Sequence, residues 1–471
     1  MKFRIQLLLL AICVLILSAC SPASDLPDTS AQTDTAAALY ETALLPIRNA
    51  GNLVLSSTWD LQRQVGSESF TESISGTASY SGLGSASMDA YVGQTIKIGT
   101  YEASYSEFYT GGSAYCQTGV DIYACDMTSK EFVDRQIPAV LLDPALYAEI
   151  SAEATESRTL IRFSQATAME SWAVSADAVL LSATGTATLD PGGNLLQSAY
   201  HAQYQLGQIT YTLKVTNKVT TPASLDLQDT LPAGLSAYPT LTTLDAPRQL
   251  LQAIGHIRTA SAITCSYEEQ LNCKAAGISR SQLVQVNTYG SADDFIARTD
   301  YSGSITNQAG DLTVTEQTEL FLDGRKSVSI NGSAAIEQPG YTAQQMRTYC
   351  ESSVLSALFP VAYMKDARWE ETGNIRTLHF TGTDALANAL CANIYDSLQT
   401  GNLESFSESH TTGDISGYLT IDRNTGLPVK AGLSLSRTHV IGGISYDLTY
   451  TLDSALTLAS ETAYETIAGA P

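Results

Sequence analysis

The sequence predicts an α+β chain of two tandem antiparallel sheets, each with helices on one side. Three observations predict it. First, apolar and polar residues alternate along the closing segment. Ile444, Tyr446, Leu448, Tyr450 and Leu452 fall on one face, and Ser445, Asp447, Thr449, Thr451 and Asp453 on the other. That period of two marks strands with one packed and one wet face. Second, Ile209, Tyr211, Leu213 and Val215 repeat the pattern halfway along the chain. Third, the chain resembles itself over long stretches, the mark of a duplicated unit.

In chain order, the N-terminus comes first. Lys2 and Arg4 precede an apolar run from Ile5 to Leu17, interrupted only by Gln6. The run falls short of the roughly 20 residues needed to span a bilayer and fits the core of a secretory signal. It ends in Leu17-Ser18-Ala19-Cys20, which resembles the lipobox of bacterial lipoproteins. The resemblance implies removal of residues 1–19 and a lipid on the Cys20 thiol. With Ser21 rather than Asp next, it implies no inner-membrane retention. Residues 20–38 are small, polar and acidic, the composition of a flexible tether.

Each half then shows one order of elements. Leu44, Ile47 and Ala50 match Ile254, Ile257 and Ala260, all at helical spacing, so a short helix opens each half. A meander of strands follows. Helical excursions are expected at about 141–152 in the first half and 341–364 in the second. Thr159-Leu-Ile-Arg-Phe163 matches Arg376-Thr-Leu-His-Phe380, and helical stretches follow at 168–182 and 383–399. Gly185-Thr-Ala-Thr-Leu189-Asp190 then lines up with Gly417-Tyr-Leu-Thr-Ile421-Asp422, each a strand running into a turn. Asn331-Gly332 reads as a hairpin turn. The resulting domains are 39–219 and 245–460, with a linker at 220–244 and a tail at 461–471. Pro222, Pro232 and Pro239 disfavour regular structure in the linker. Each half is expected to have its own core.

The segment Gly417-Tyr-Leu-Thr-Ile-Asp-Arg-Asn-Thr-Gly-Leu-Pro-Val429, with this element order, resembles the LolA/LolB-type lipoprotein carriers. Relatives by fold are the RseB-type sensors and the LprG/LppX-type lipoproteins. The first half keeps the motif less well, with Pro191-Gly192-Gly193 in the turn. The resemblance implies two half-barrels, each with helices on its concave face and an apolar space between them. It implies a hydrophobic ligand there and no chemistry.

Composition narrows the partners. The formal charge is −23, and loss of Lys2 and Arg4 with the signal makes it −25. Nucleic acid is excluded as a partner, because it needs clustered Lys and Arg. Anionic headgroups would repel such a chain, so the lipid on Cys20 must make the membrane attachment. Of eight cysteines, six follow Cys20: Cys116, Cys125, Cys265, Cys273, Cys350 and Cys391. They allow fifteen connectivities, and spacing favours Cys116–Cys125, Cys265–Cys273 and Cys350–Cys391. No C-x-x-C occurs and the five histidines are scattered, so no metal or other cofactor is expected.

No hydrolase, metalloprotease or nucleotide-binding signature is present. His256 and His379 read as packed histidines. The pairs Glu268-Glu269, Asp293-Asp294 and Glu370-Glu371 read as solvated acids, since neighbours on a strand face opposite ways. Trp172, Leu355, Leu358, Phe359, Tyr363, Leu386, Leu390 and Ile394 are the candidates to line an apolar ligand space; core packing between helix and sheet is the plainer reading of them, and both use the same residues. Two functions compete: a non-catalytic carrier or sensor for a lipid or other hydrophobic ligand, and an envelope module with self-filled cores that binds another protein. An enzyme of unfamiliar class is a distant third.

Overall fold

The structure is a computed structural model. It describes residues 29–471 except 67, 120, 136–141, 167–173, 175–176, 228–229, 231–237, 239, 242, 274–276, 291–293, 307–308, 356–363, 385–386, 388–413, 442–443, 459–466 and 468–471. Among the described residues, strands form one twelve-stranded and one eleven-stranded sheet, both open.

In the first sheet β1 (Asn52–Val65) lies at the centre. On one side run β2 (Glu68–Ser81), β3 (Asp89–Ile98), β4 (Tyr101–Thr110), β5 (Ser113–Thr118) and β6 (Asp121–Cys125). On the other run β11 (Ile209–Thr220), β10 (Leu195–Leu206), β9 (Val179–Leu189), β8 (Thr159–Ala166) and β7 (Tyr147–Ala154). The second sheet repeats the plan about β13 (Ala262–Cys273). Outward from it run β14 (Ile278–Tyr289), β15 (Ile296–Thr306), β16 (Leu312–Leu322), β17 (Arg325–Ile330) and β18 (Ile336–Gln338). Its other flank is β23 (Ile444–Leu458), β22 (Pro428–Ile441), β21 (Asp414–Asp422), β20 (Ile375–Gly382) and β19 (Met364–Thr372). The internal repeat is thus a repeat of topology, and the two half-barrels are as the α+β reading expects.

The alternation places the inner faces. On β11, Tyr211, Leu213, Val215 and Val219 are buried, and on β23 Leu448, Tyr450, Leu452, Leu456 and Leu458 are. Asn331 and Gly332 turn with φ of 49° and 70°, the left-handed pair that suits a tight hairpin. Helix α1 (Thr29–Arg48) covers β7 and β10, and begins inside the stretch expected to be a tether. Composition alone hid its stripe: Ala36, Tyr40, Ala43, Leu44 and Ile47 are buried at helical spacing.

Several expected elements differ. The stretch 141–152 forms no long helix. It holds a single 3₁₀ turn, Pro144–Leu146, and then β7. Its Ala and Glu residues favour helix, but pairing with β8 along Tyr147–Ala154 overrides that weak preference. Residues 179–182, expected to be helical, are the start of β9. There Ala183, Ala187 and Leu189 alternate inward. In the second half, α4 (Ala343–Leu355) matches the expected excursion, and β19 begins at Met364. The linker is not wholly irregular: β12 (Thr240–Leu241) pairs in parallel with β6 and packs against β19 of the other sheet.

The halves do not have separate cores. Buried apolar residues of both sheets form one cluster. Helix α3 (Ala246–Thr259), which opens the second half, lies on β3 and β4 of the first. Leu250, Ala253 and Ile257 make its buried stripe. A Cβ on Gly255 would lie 2.6 Å from Tyr101 Cδ1 and 2.8 Å from Ile98 Cδ1, so glycine is what lets the helix approach. The Asp422–Leu427 turn of the motif noted above also meets the first half. The Asp422 carboxylate accepts from the Asn424 and Thr425 amides, which shapes the turn. The Asn424 carbonyl then accepts from the Tyr211 hydroxyl, and Gly426 sits against the Arg63 guanidinium.

Among the described residues Cys116, Cys125, Cys265 and Cys350 are free and buried. Across the β5–β6 hairpin Cys116 opposes Tyr123 and Cys125 opposes Ala114, so the two thiols are diagonal rather than paired. Cys265 and Cys273 lie on the one strand β13, eight residues and roughly 27 Å apart at strand rise, which no disulfide spans. Cys391 lies outside the described residues.

Candidate functional site

Of the expected lining, Trp172, Leu358, Phe359, Tyr363, Leu386, Leu390 and Ile394 lie outside the described residues, and Leu355 is the last residue of α4. The described residues instead build a cavity of about 360 Å³ between the halves, within the range of roughly 300–1,000 Å³ typical of ligand clefts. Its floor is the inner face of the first sheet: Leu55, Ser57 and Trp59 on β1, Ile74, Gly76 and Ala78 on β2, and Val92 and Gln94 on β3. Small side chains at 57, 76 and 78 leave the space open. A Cβ at Gly76 would strike the Gly93 carbonyl oxygen, so the close approach of β2 to β3 requires glycine there.

The roof is polar and comes from three places. Arg135 follows α2 (Ser129–Asp134), whose N-terminus Thr128 and Glu131 close with a capping box. Its Nη2 donates to Glu107 Oε1 at 3.2 Å, which also accepts from the Tyr105 hydroxyl at 3.0 Å. Arg248, in the first turn of α3, has Nη2 3.7 Å from Asp245 Oδ2. Arg376, on β20 of the second sheet, lies over the Trp369 ring with Cζ 4.0 Å from its centroid and Nε 3.2 Å from Glu371 Oε1. Burial works to raise the Asp245 pKa, but Arg248, the Thr243 hydroxyl, Arg376 and Arg135 outweigh it and hold the carboxyl below its usual range. Among the described residues no group of His, Cys, Asp and Glu has the makings of a metal site.

Buried charged residues also stand apart from the cavity, Glu269 and Arg437 among them. Glu269 is buried, bonded to Arg280 and to the Tyr450 hydroxyl, so the expected solvated pair Glu268-Glu269 is solvated only at Glu268. Strand alternation sends the two apart, and the inward one found a cation. Arg437, on the inner face of β22, is 2% exposed, and none of its guanidinium nitrogens has a hydrogen-bond partner among the described residues. A buried cation without a partner costs several kcal/mol. Arg437→Met is expected to raise the unfolding free energy by about 1–4 kcal/mol, read from urea or thermal unfolding. A lowered stability would show that Arg437 is paired in the folded protein.

No protein-family model matches the chain. No curated protein matches it. Among solved structures it is similar to LprF from Mycobacterium bovis, at 12% identity over 46% of this chain and 92% of that one, with a TM-score of 0.26. It is similar to the MucA/MucB complex structure of Pseudomonas aeruginosa, at 9% identity over 90% of this chain and 99% of that one, with a TM-score of 0.21. A DUF1329 family protein from Desulfovibrio piger matches at 10% identity over 47% of this chain and 95% of that one, with a TM-score of 0.16. At these TM-scores the site is read from its own geometry alone.

Proposed function

We propose that this chain is a lipid-anchored extracytoplasmic binding protein that holds a lipid or other amphiphile and performs no chemistry on it. The observation that carries the reading is the cavity between the halves: Leu55, Trp59, Ile74 and Val92 give its floor apolar surface beside Ser57, Thr77 and Gln94, and the charged groups lie in its roof. Apolar floors provide affinity by burial, about 0.8 kcal/mol per methylene, and a few polar groups fix orientation. Cys20 supplies the anchor in this reading.

The test is native mass spectrometry of the full chain purified from its own host, with a lipid-sized adduct expected. Ser57→Phe fills the cavity and is expected to remove the adduct without unfolding the protein. Phe359→Asp addresses the second-half space expected from the sequence. If that substitution alone removes the adduct, the ligand lies in the second half. A protein with no adduct in any form overturns the proposal. A second reading, a module that binds another envelope protein, is favoured by the exposed Leu312, Val314, Ile330 and Ile336 on β16, β17 and β18.

A further inference from the structure

We infer that the ligand of the inter-half cavity carries an anionic oxygen head group, a carboxylate or a phosphate, gripped by Arg135, Arg248 and Arg376. This rests on the reading of the cavity as the ligand site. The chain has only 25 Lys and Arg against 48 Asp and Glu, yet among the described residues three arginines from three separate places line this one space, and Asp245 is the one acid in that lining. Tail and head then have separate places, the apolar side chains of the floor and the cationic roof.

Each guanidinium already faces one carboxylate: Arg135 faces Glu107, Arg248 faces Asp245 and Arg376 faces Glu371. A guanidinium has five N–H donors, more than one carboxylate can accept. The excess is visible at Arg135, whose Nη1 is buried and has no hydrogen-bond partner among the described residues. Arg376 lies over the Trp369 ring, its Cζ 4.0 Å from the centroid, a contact that restricts where its donors can point before any ligand arrives. A planar fork set in this way suits a carboxylate or phosphate far better than a hydroxyl or an ammonium. The paired carboxylates balance the arginines, so the site collects an anion through its unused donors at short range and exerts little net field at a distance.

Titration calorimetry of the full chain against dodecanoate, dodecyl phosphate, dodecanol and dodecyltrimethylammonium, each below its micelle concentration, tests the inference. One or both anions are expected to bind at least about tenfold more tightly than dodecanol, with the ammonium weakest. The stronger of the two anions identifies the head group. Arg376→Gln is the cleanest variant, because Glu371 is half exposed and its loss of a partner leaves no buried charge. It is expected to weaken the anion by about tenfold while moving dodecanol less than about twofold. Arg376→Lys should recover only part of the loss, since it restores charge without the fork. Arg248→Gln gives the same comparison from α3, and thermal melts of each variant establish that it is folded. If dodecanol binds as tightly as the anions, or the variants weaken all four alike, the anionic head group is wrong and the amphiphile reading survives. If none of the four binds, that reading falls with it.

Discussion

Replacing Glu72 with leucine is expected to cost the folded protein about 3–5 kcal/mol. Glu72 is 5% exposed on the inner face of β2. Arg63 Nη1 donates to its Oε2 at 3.2 Å, the Gln252 amide donates to its Oε1, and His256 Nε2 lies 3.7 Å from Oε2. Gln252 and His256 belong to α3, so this carboxylate ties the second half's opening helix to the first half's sheet. Leucine would leave the buried Arg63 without its anion, the costly way to break a buried pair. A second route gives a similar size. Burial alone would raise the Glu72 pKa, but His256, Arg63 and Gln252 prevail and bring it from 4.5 to about 2. A lowering of that size corresponds to roughly 3 kcal/mol. Because the folded value lies below the unfolded one, this stabilisation is whole above about pH 4.5 and is lost as the pH falls towards 2. Urea unfolding of both proteins between pH 7 and pH 2 measures the difference. It should be largest at neutral pH and shrink across that acid window. A difference under about 1 kcal/mol at pH 7, or one that does not depend on pH, would count against the tie.

The contact between α3 and β2 also marks where reading a sequence runs out. Alternation and repetition are local signals, and they found β11, β23, the duplicated order of strands and the Asn331-Gly332 turn. Short segments of weak preference were misjudged where pairing decided the outcome, as at Tyr147–Ala154. The cavity left almost no local trace. Arg135, Arg248 and Arg376 are separated by more than a hundred residues each and are brought together by topology alone. One usable sign was Gly255, an isolated glycine within a helical pattern, which often means close packing against another element. It points to close packing of α3 without saying against which element. Apart from Leu355, the expected second-half lining falls within 356–363, 385–386 and 388–413, outside the described residues.

Cys20→Ala is expected to move the protein from the membrane fraction to the supernatant almost completely. The basis is the order Lys2, Arg4, the apolar run from Ile5 to Leu17, and Leu17-Ser18-Ala19-Cys20. Thioether attachment of a diacylglycerol at Cys20, as the lipobox resemblance implies, would provide two acyl chains, and two chains give stable anchoring where one is marginal. Among the described residues no helix is long and apolar enough to cross a membrane. A net charge of −25, the value without Lys2 and Arg4, would make anionic headgroups repel the chain on balance. Membranes from cells expressing each form should be washed in high salt and in carbonate, which strip peripheral proteins and leave lipid-anchored ones. The unsubstituted protein should remain in the pellet and take up a palmitate analogue, and the alanine form should do neither. An alanine form that stays in the washed pellet, or one that still takes up the analogue, places the anchor elsewhere in the chain.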